Sequence, residues 1–318
     1  GSLELLADKT PDARNFSTFN STRIFRATED ENLDFEFSNA TAVSVPHTLG
    51  TYSEITQLNS GSFGIVCRAK DNRDGRIVAL KFPRRDRLKD VAGMQMFIAE
   101  ANKAKKLEHP GIVRTYSIET FNGFLAIVQQ YVDGTDLKTA KEKLDDKREI
   151  ANLIANVADA LAYAHRQGVY HRDLKPANIL VDTEGRPFVV DFGLAIDDNE
   201  QIYLPRQRCG TAFYMPPEQV AGLTRLIDGR SDIWSLGVVL YELLTKQKPF
   251  RGVTDSDIFY QIENKDPRPP RQIDDSISPE LQRICLKCLE RQQRHRYPTA
   301  GELADDLRHW VKHPTGTL

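Results

Sequence analysis

Residues 231–244 read SDIWSLGVVLYELL. Wound into a helix, this run is apolar on nearly every side, so the helix must be buried and wrapped by other elements. The second half of the chain supplies the wrapping. Ile150, Leu153, Ile154, Val157, Leu161 and Ala164 recur at helical spacing and mark one buried face, on a helix that closes near Gly168. Ser278-Pro279-Glu280 has the cap and first-turn proline of a helix start. Thr299-Ala300-Gly301-Glu302 has the form of a capping box, followed by a stripe of Leu303, Leu307 and Trp310. With 318 residues, 40% of them hydrophobic, the chain can build this helical body and a second, smaller one.

The first half has the period of strands. Residues 52–58, 65–69 and 76–82 read as three strands, the first two joined by a tight turn at Asn59-Ser60-Gly61-Ser62-Phe63-Gly64 and the last two by Asp74-Gly75. A helix is expected over 91–107, stopped by His109-Pro110. Strands at 112–119 and 124–131 follow, and 132–137 read as the passage between the two bodies. Residues 1–48 are polar, with a strand-like alternation over 33–37 and Phe16, Phe19 and Phe25 as anchors. They read equally well as a mobile tail or as a segment docked on the smaller body.

Composition removes several classes of function. A net charge of −2 gives no basic face for nucleic acid. No apolar run reaches the ~18–20 residues needed to span a bilayer, and no secretory pattern opens the chain. The opening Gly1-Ser2 in place of Met reads as a cloning remnant and leaves open what lies beyond either end. Cys285 and Cys288 form a CxxC without a second pair, on one helical face, and read as core thiols. Asn15, Asn20 and Asn39 begin N-x-S/T triplets, which matter only in a secretory setting; four scattered cysteines suit a reducing one.

The chemistry lies in a few spaced motifs. Strands flanking a Gly-rich turn let backbone N–H groups approach phosphate oxygens, and Lys81 follows on the next strand, in Val78-Ala79-Leu80-Lys81. Tyr170-His171-Arg172-Asp173-Leu174-Lys175-Pro176-Ala177-Asn178 sets an acid, a lysine and an amide close together. Asp191-Phe192-Gly193 begins 13 residues beyond Asn178. Short strands at 178–181 and 188–190, around a turn at Glu184-Gly185, would hold Asn178 beside Asp191. Each acid alone would most often be a solvated surface carboxylate; in this order and spacing that reading recedes.

Together these motifs resemble the eukaryotic-type serine/threonine protein kinases, in wording most similar to bacterial members, over residues 50–311. The resemblance implies an α+β, bilobal protein-kinase fold: a small antiparallel-sheet N-lobe with helix C and a larger helical C-lobe. It divides the chain into an extension (1–48), N-lobe (49–131), hinge (132–135), C-lobe (136–312) and tail (313–318). It implies ATP and Mg2+ as cofactors and a protein Ser/Thr hydroxyl as acceptor. Asp173 would be the base, with Lys175, Lys81, Asn178 and Thr211 beside it. Asn178 and Asp191 would hold the metal through hard oxygen ligands. Nucleotide contacts would come from Leu58, Asn59, Ser60, Gly61, Ser62, Phe63, Gly64, Val66, Ala79, Lys81, Gln130, Val132 and Leu180, with Glu100 pairing Lys81 and Gln129 as gatekeeper. Asn59 stands where the family's first loop glycine belongs, and Pro216 where an alanine is usual. Glu218 and Arg296 match a pair that ties the activation segment to the large lobe. The resemblance further implies a cytoplasmic protein; related bacterial kinases often form homodimers.

Two rival readings are a pseudokinase scaffold, favoured by Asn59 and an activation loop whose one hydroxyl between Gly193 and Thr211 is Tyr203, and a small-molecule kinase, opposed by the complete segment from Asp191 to Glu218. With no Ser or Thr in that loop, Asp197, Asp198 or Glu200 is expected to pair with Arg172 in place of a phosphate, or the loop orders without modification.

Overall fold

The computed structural model describes residues 47–61, 64–83, 98, 101–121, 124–192 and 212–313. Several expectations fall outside them: the 1–46 segment, Ser62, Phe63, Glu100, Gly193, the loop acids and Tyr203, and Thr211.

The strand-patterned half forms one antiparallel sheet. Its strands are β1 (Tyr52–Gly61), β2 (Gly64–Asp71), β3 (Ile77–Pro83), β4 (Thr115–Phe121) and β5 (Phe124–Gln130), in the order β1-β2-β3-β5-β4. The expected six-residue turn is tighter. Asn59, Ser60 and Gly61 belong to β1 and pair with Val66, Ile65 and Gly64. The ladder can close this far because Gly64 has φ +128 and a β-carbon there would lie 1.8 Å from the Phe82 carbonyl oxygen. Between Ile98 and residue 121, helix is described at 98 and 101–105, two residues short of the expected end at Leu107.

Alternation along the strands decides what each face carries. Val78, Leu80 and Phe82 enter a core with Tyr52, Cys67 and Val128. Ala79 and Lys81 take the opposite face, and register places Val66 across from Lys81.

The expected linker after β5 is partly a strand. β6 (Gly134–Asp136) pairs with β7 (Ile179–Asp182), which pairs with β8 (Pro187–Val189) in a second, three-stranded sheet. Asn178 lies in a 3-10 turn, Pro176–Asn178, rather than in a strand.

The helices of the large lobe are α1 (Leu137–Ala140), α2 (Lys147–Arg166), α3 (Pro217–Val220), α4 (Gly229–Thr245), α5 (Asp255–Asn264), α6 (Pro279–Cys288) and α7 (Ala300–Lys312). α4 is the all-round apolar run, and every residue from Ser231 to Thr245 is buried. Trp234 stacks on Phe250 with ring centroids 5.9 Å apart. The α7 cap forms by halves. Thr299 accepts from the Glu302 N–H (3.2 Å), but the Glu302 carboxylate accepts from the Thr299 hydroxyl rather than from its backbone. The reciprocal box appears instead at α5, between Thr254 and Asp257.

Cys285 and Cys288 are fully buried against α4. Burial pushes the Cys288 thiol up to about 12 and raises that of Cys285, so neither supplies the thiolate that metal or redox chemistry needs.

α4 and α6 approach closely at Gly237, where a β-carbon would lie 2.4 Å from that of Cys288. Gly237→Ala should therefore lower stability by about 1–3 kcal/mol, read as a drop in the urea midpoint. An unchanged midpoint would show that α6 yields freely.

Candidate active site

The site is assembled on a buried carboxylate. Asp232, in the first turn of α4 and 1% exposed, accepts from the backbone N–H groups of His171 and Arg172, both at 2.8 Å. His165 Nε2 lies 2.8 Å from the same carboxylate. Burial alone would raise this carboxyl; the bonds from His165 and the His171 backbone outweigh it and hold the group below the usual aspartate value. Arg172 sits at φ +64, a left-handed conformation costing about 1–3 kcal/mol for a non-glycine residue. The two amide bonds to Asp232 fix that turn and hence the direction of Asp173.

Sequence reading placed Asp232 in a buried helix but gave it no task. The available signal was the acid itself: a carboxylate inside an all-apolar helix must have buried donors to satisfy it.

Beyond the turn, Asp173 Oδ2 receives Lys175 Nζ at 2.7 Å and Asn178 Nδ2 at 3.4 Å. Asp173 Oδ1 is buried and has no hydrogen-bond partner among the described residues. Asn178 also donates Nδ2 to the Asp173 carbonyl (2.8 Å), which leaves its amide oxygen on the other side. The second motif is tied to the first by backbone. Val190 N–H donates to the Asn178 carbonyl (3.0 Å), and His171 Nε2 lies 2.8 Å from the Val190 carbonyl. Phe192, 2% exposed, packs against the His171 ring, centroids 5.1 Å apart. Asp191, at φ +66, points its carboxylate to the sheet lobe, where Oδ1 meets Lys81 Nζ at 2.5 Å. Lys81 is 3% exposed.

The lobes are further joined by the stretch before β4. Val113 N–H donates to the Val189 carbonyl (3.0 Å), and Val189 N–H to the Gly111 carbonyl (2.8 Å).

Register gathers part of the expected nucleotide set. Val66, Ala79 and Lys81 share the sheet face turned to the large lobe, with Asn59 opposite Val66. Leu180 lies half-buried on β7, across from Asp136. Leu58 is less enclosed, at 49% exposure, in an irregular step of the β1–β2 ladder. Gln130 already donates its N–H to the Arg114 carbonyl (2.8 Å), and Gln129 Nε2 donates to the Thr115 hydroxyl (3.2 Å).

Glu218 and Arg296 form a two-pronged pair with both N···O distances 2.9 Å, at 5% and 2% exposure. Ser231 and Gln293 complete the Glu218 shell, and the guanidinium lies 5.0 Å over the Trp234 ring. Burial would raise the Glu218 carboxyl, but Arg296 holds it below the usual glutamate value. Gln219, next in sequence, donates to the Arg172 carbonyl (3.3 Å), so this segment is pinned both to the lobe and to the turn that carries Asp173.

Comparison with known proteins agrees with this architecture. Residues 52–311 match the protein kinase domain family. The chain is 37% identical over 270 residues to serine/threonine-protein kinase PknB of Mycobacterium leprae, covering 82% of this chain and 43% of that protein. It is 36% identical over 275 residues to a probable serine/threonine-protein kinase of Streptomyces coelicolor, covering 82% and 40%. The chain thus spans less than half the length of these relatives. Among solved structures, the PknI kinase domain of Mycobacterium tuberculosis superposes with a TM-score of 0.66 at 25% identity, covering 84% of this chain and 99% of that one. No helix among the described residues is long and apolar enough to cross a membrane.

Arg296→Met would strand a buried carboxylate and should cost about 3–5 kcal/mol, most of it recovered in Glu218→Gln/Arg296→Met. Equal losses in the single and double variants, by urea denaturation, would sink this assignment. The pH dependence has a definite sign. Glu218 and Asp232 have depressed folded-state pKa values, so their stabilisation is present above the ordinary values of 4.5 and 3.8 and is lost as pH falls through the folded ones. Acid titration of the double variant should show the shallower decline.

Proposed function

The chain belongs to the protein kinase family, and we propose on that footing that it is a serine/threonine protein kinase, moving the γ-phosphoryl group of ATP to a protein hydroxyl. The observation that carries the reading is the Asp173 carboxylate: Oδ2 is held by Lys175 and Asn178, while Oδ1 is buried with no described partner. A buried carboxylate oxygen left this way is suited to accept a proton from an incoming hydroxyl.

In this reading ATP lies under β1 and β2, against Leu58, Asn59, Ser60, Gly61, Ser62, Phe63, Gly64, Val66, Ala79 and Leu180. Its base meets the Gln130 carbonyl, since the N–H of that residue is taken, and the Val132 N–H. Lys81, held by Glu100, places its ammonium on the α- and β-phosphates. Asp191 and the Asn178 amide oxygen form a hard-oxygen pair that fits Mg2+, an ion usually bound by one or two protein oxygens plus substrate phosphates. When bound, the ion neutralises charge on the phosphates.

The acceptor oxygen attacks γ-phosphorus as its proton passes to Asp173 Oδ1, and the bond to the leaving ADP oxygen breaks. Lys175, 2.7 Å from Asp173, offsets charge on the moving phosphoryl group, and Thr211 seats the acceptor. Lys175 in this position, with the relatives' names, supports Ser/Thr over Tyr as acceptor. The ATP requirement and the buried free thiols of Cys67, Cys285 and Cys288 support placement on the cytoplasmic side.

The test is transfer of labelled γ-phosphate to a generic protein substrate by wild type and Asp173→Ala. Label should appear on Ser or Thr and fall at least ~10²-fold in the variant, with nucleotide still bound. Label on Tyr would overturn the acceptor class. Undiminished transfer by the variant would remove Asp173 as base, and bound ATP with no transfer by either protein would end the kinase reading.

A further inference from the structure

Beside the catalytic turn the large lobe carries a charge arrangement that phosphoryl transfer does not use. Glu242, on α4 and 4% exposed, has both carboxylate oxygens occupied: Lys141 Nζ donates to Oε1 and the Tyr214 hydroxyl to Oε2, each at 2.6 Å. A carboxylate covered and neutralised in this way offers no negative subsite to a passing peptide. Two further cations stand near it. Lys248 is half-buried, its Nζ 3.7 Å from the centroid of the Phe213 ring and 5.3 Å from that of Tyr214. Lys138 is exposed on α1. Among the described residues neither lysine makes an ion pair. Burial holds the Lys248 ammonium below the usual lysine value; Glu242 opposes this, and Lys141 and Lys138 add to it.

The placement joins these groups to the acceptor side of the site. α1 packs on the Pro176–Asn178 turn, and the Ala212–Tyr214 turn that carries Phe213 packs on α4. Of the acids on these elements, Asp136 is used as the α1 cap, accepting from Thr139 N–H at 2.8 Å, and Glu142 is exposed on the Lys141–Lys143 turn. A peptide laid across Asp173 therefore passes a surface whose inner carboxylate is closed, with Lys138 exposed and the Lys248 ammonium half-buried over the Phe213 ring.

We infer that Lys248 and Lys138 form a specificity subsite for a carboxylate side chain of the protein substrate, an Asp or Glu within a few residues of the phosphorylated Ser or Thr. The inference rests on the kinase reading of this site. A half-desolvated ammonium gains more from an arriving carboxylate than an exposed one does. A basic residue at the same place is repelled, so the subsite discriminates in both directions.

The test compares three fluorescent peptides around one Ser, flanked by Glu, Gln or Lys, by anisotropy at low salt and, in parallel, as phosphate acceptors. Wild type should bind the Glu peptide about 5-fold or more tighter than the Gln peptide and the Lys peptide weakest. The Glu/Gln ratio should fall to about 1 in Lys248→Met/Lys138→Gln, and Lys248→Glu should favour the Lys peptide. Lys248→Met removes the ammonium over Phe213 but leaves an unbranched apolar side chain in its place, and Lys138→Gln changes an exposed side chain, so each can be checked for an unchanged melting temperature. A wild-type ratio near 1, or a preference that survives both substitutions, overturns the inference. If no peptide accepts phosphate while the charge preference appears in binding and vanishes in the variants, the subsite stands and the kinase reading fails.

Discussion

The geometry of the candidate site depends on the hydrogen bonds accepted by Asp232. Its carboxylate takes two successive amide N–H groups from a turn whose middle residue, Arg172, is in a left-handed conformation. Such a turn would relax if released. The acceptor is fixed because α4 is fixed, buried from Ser231 to Thr245 and packed by α2 and α6. The hydrophobic effect thus sets the position of one carboxylate, and hydrogen bonds carry that position to Asp173.

From Asp173 the same logic runs outward. Asn178 is held by the Asp173 carbonyl, Val190 by the Asn178 carbonyl, and Asp191 follows Val190 in the chain. Asp191 then meets Lys81, delivered from the sheet lobe by the alternation of β3. Backbone bonds between 111–113 and Val189 run alongside this contact. Among the described residues the lobes are therefore joined by these backbone bonds and by the ion pair of Lys81 with Asp191.

Much of this was legible in the linear chain. The buried face of α2 and the stripe of Leu303, Leu307 and Trp310 follow from helical spacing, because burial enforces period. The pairing of Glu218 with Arg296 was legible by resemblance, since 78 residues separate them and no local pattern links them. Other features were misplaced for physical reasons. Asn59 to Gly61 read as a turn, but the glycine at 64 lets the hairpin ladder run further. Gly134 to Asp136 read as a linker, but β7 offers an edge to pair with, and edges are tertiary objects. The capping box formed at Thr254 rather than Thr299 because a cap depends on where the acid's side chain can turn, which neighbours decide.

What the sequence determined by itself was the inventory and the periods: which stretches must be buried, which must alternate, and which acids, amides and lysines occur at spacings that allow phosphoryl chemistry. Those follow from residue type and local geometry, which need no partner. Only the tertiary structure decided which polar groups satisfy one another. It gave Asp232 to the His171 and Arg172 amides, left Asp173 Oδ1 without a described partner, closed Glu242 with Lys141 and Tyr214, and laid Lys248 over Phe213. These contacts join residues tens of positions apart, and each exists because burial makes an unpaired polar group costly wherever in the chain its partner lies.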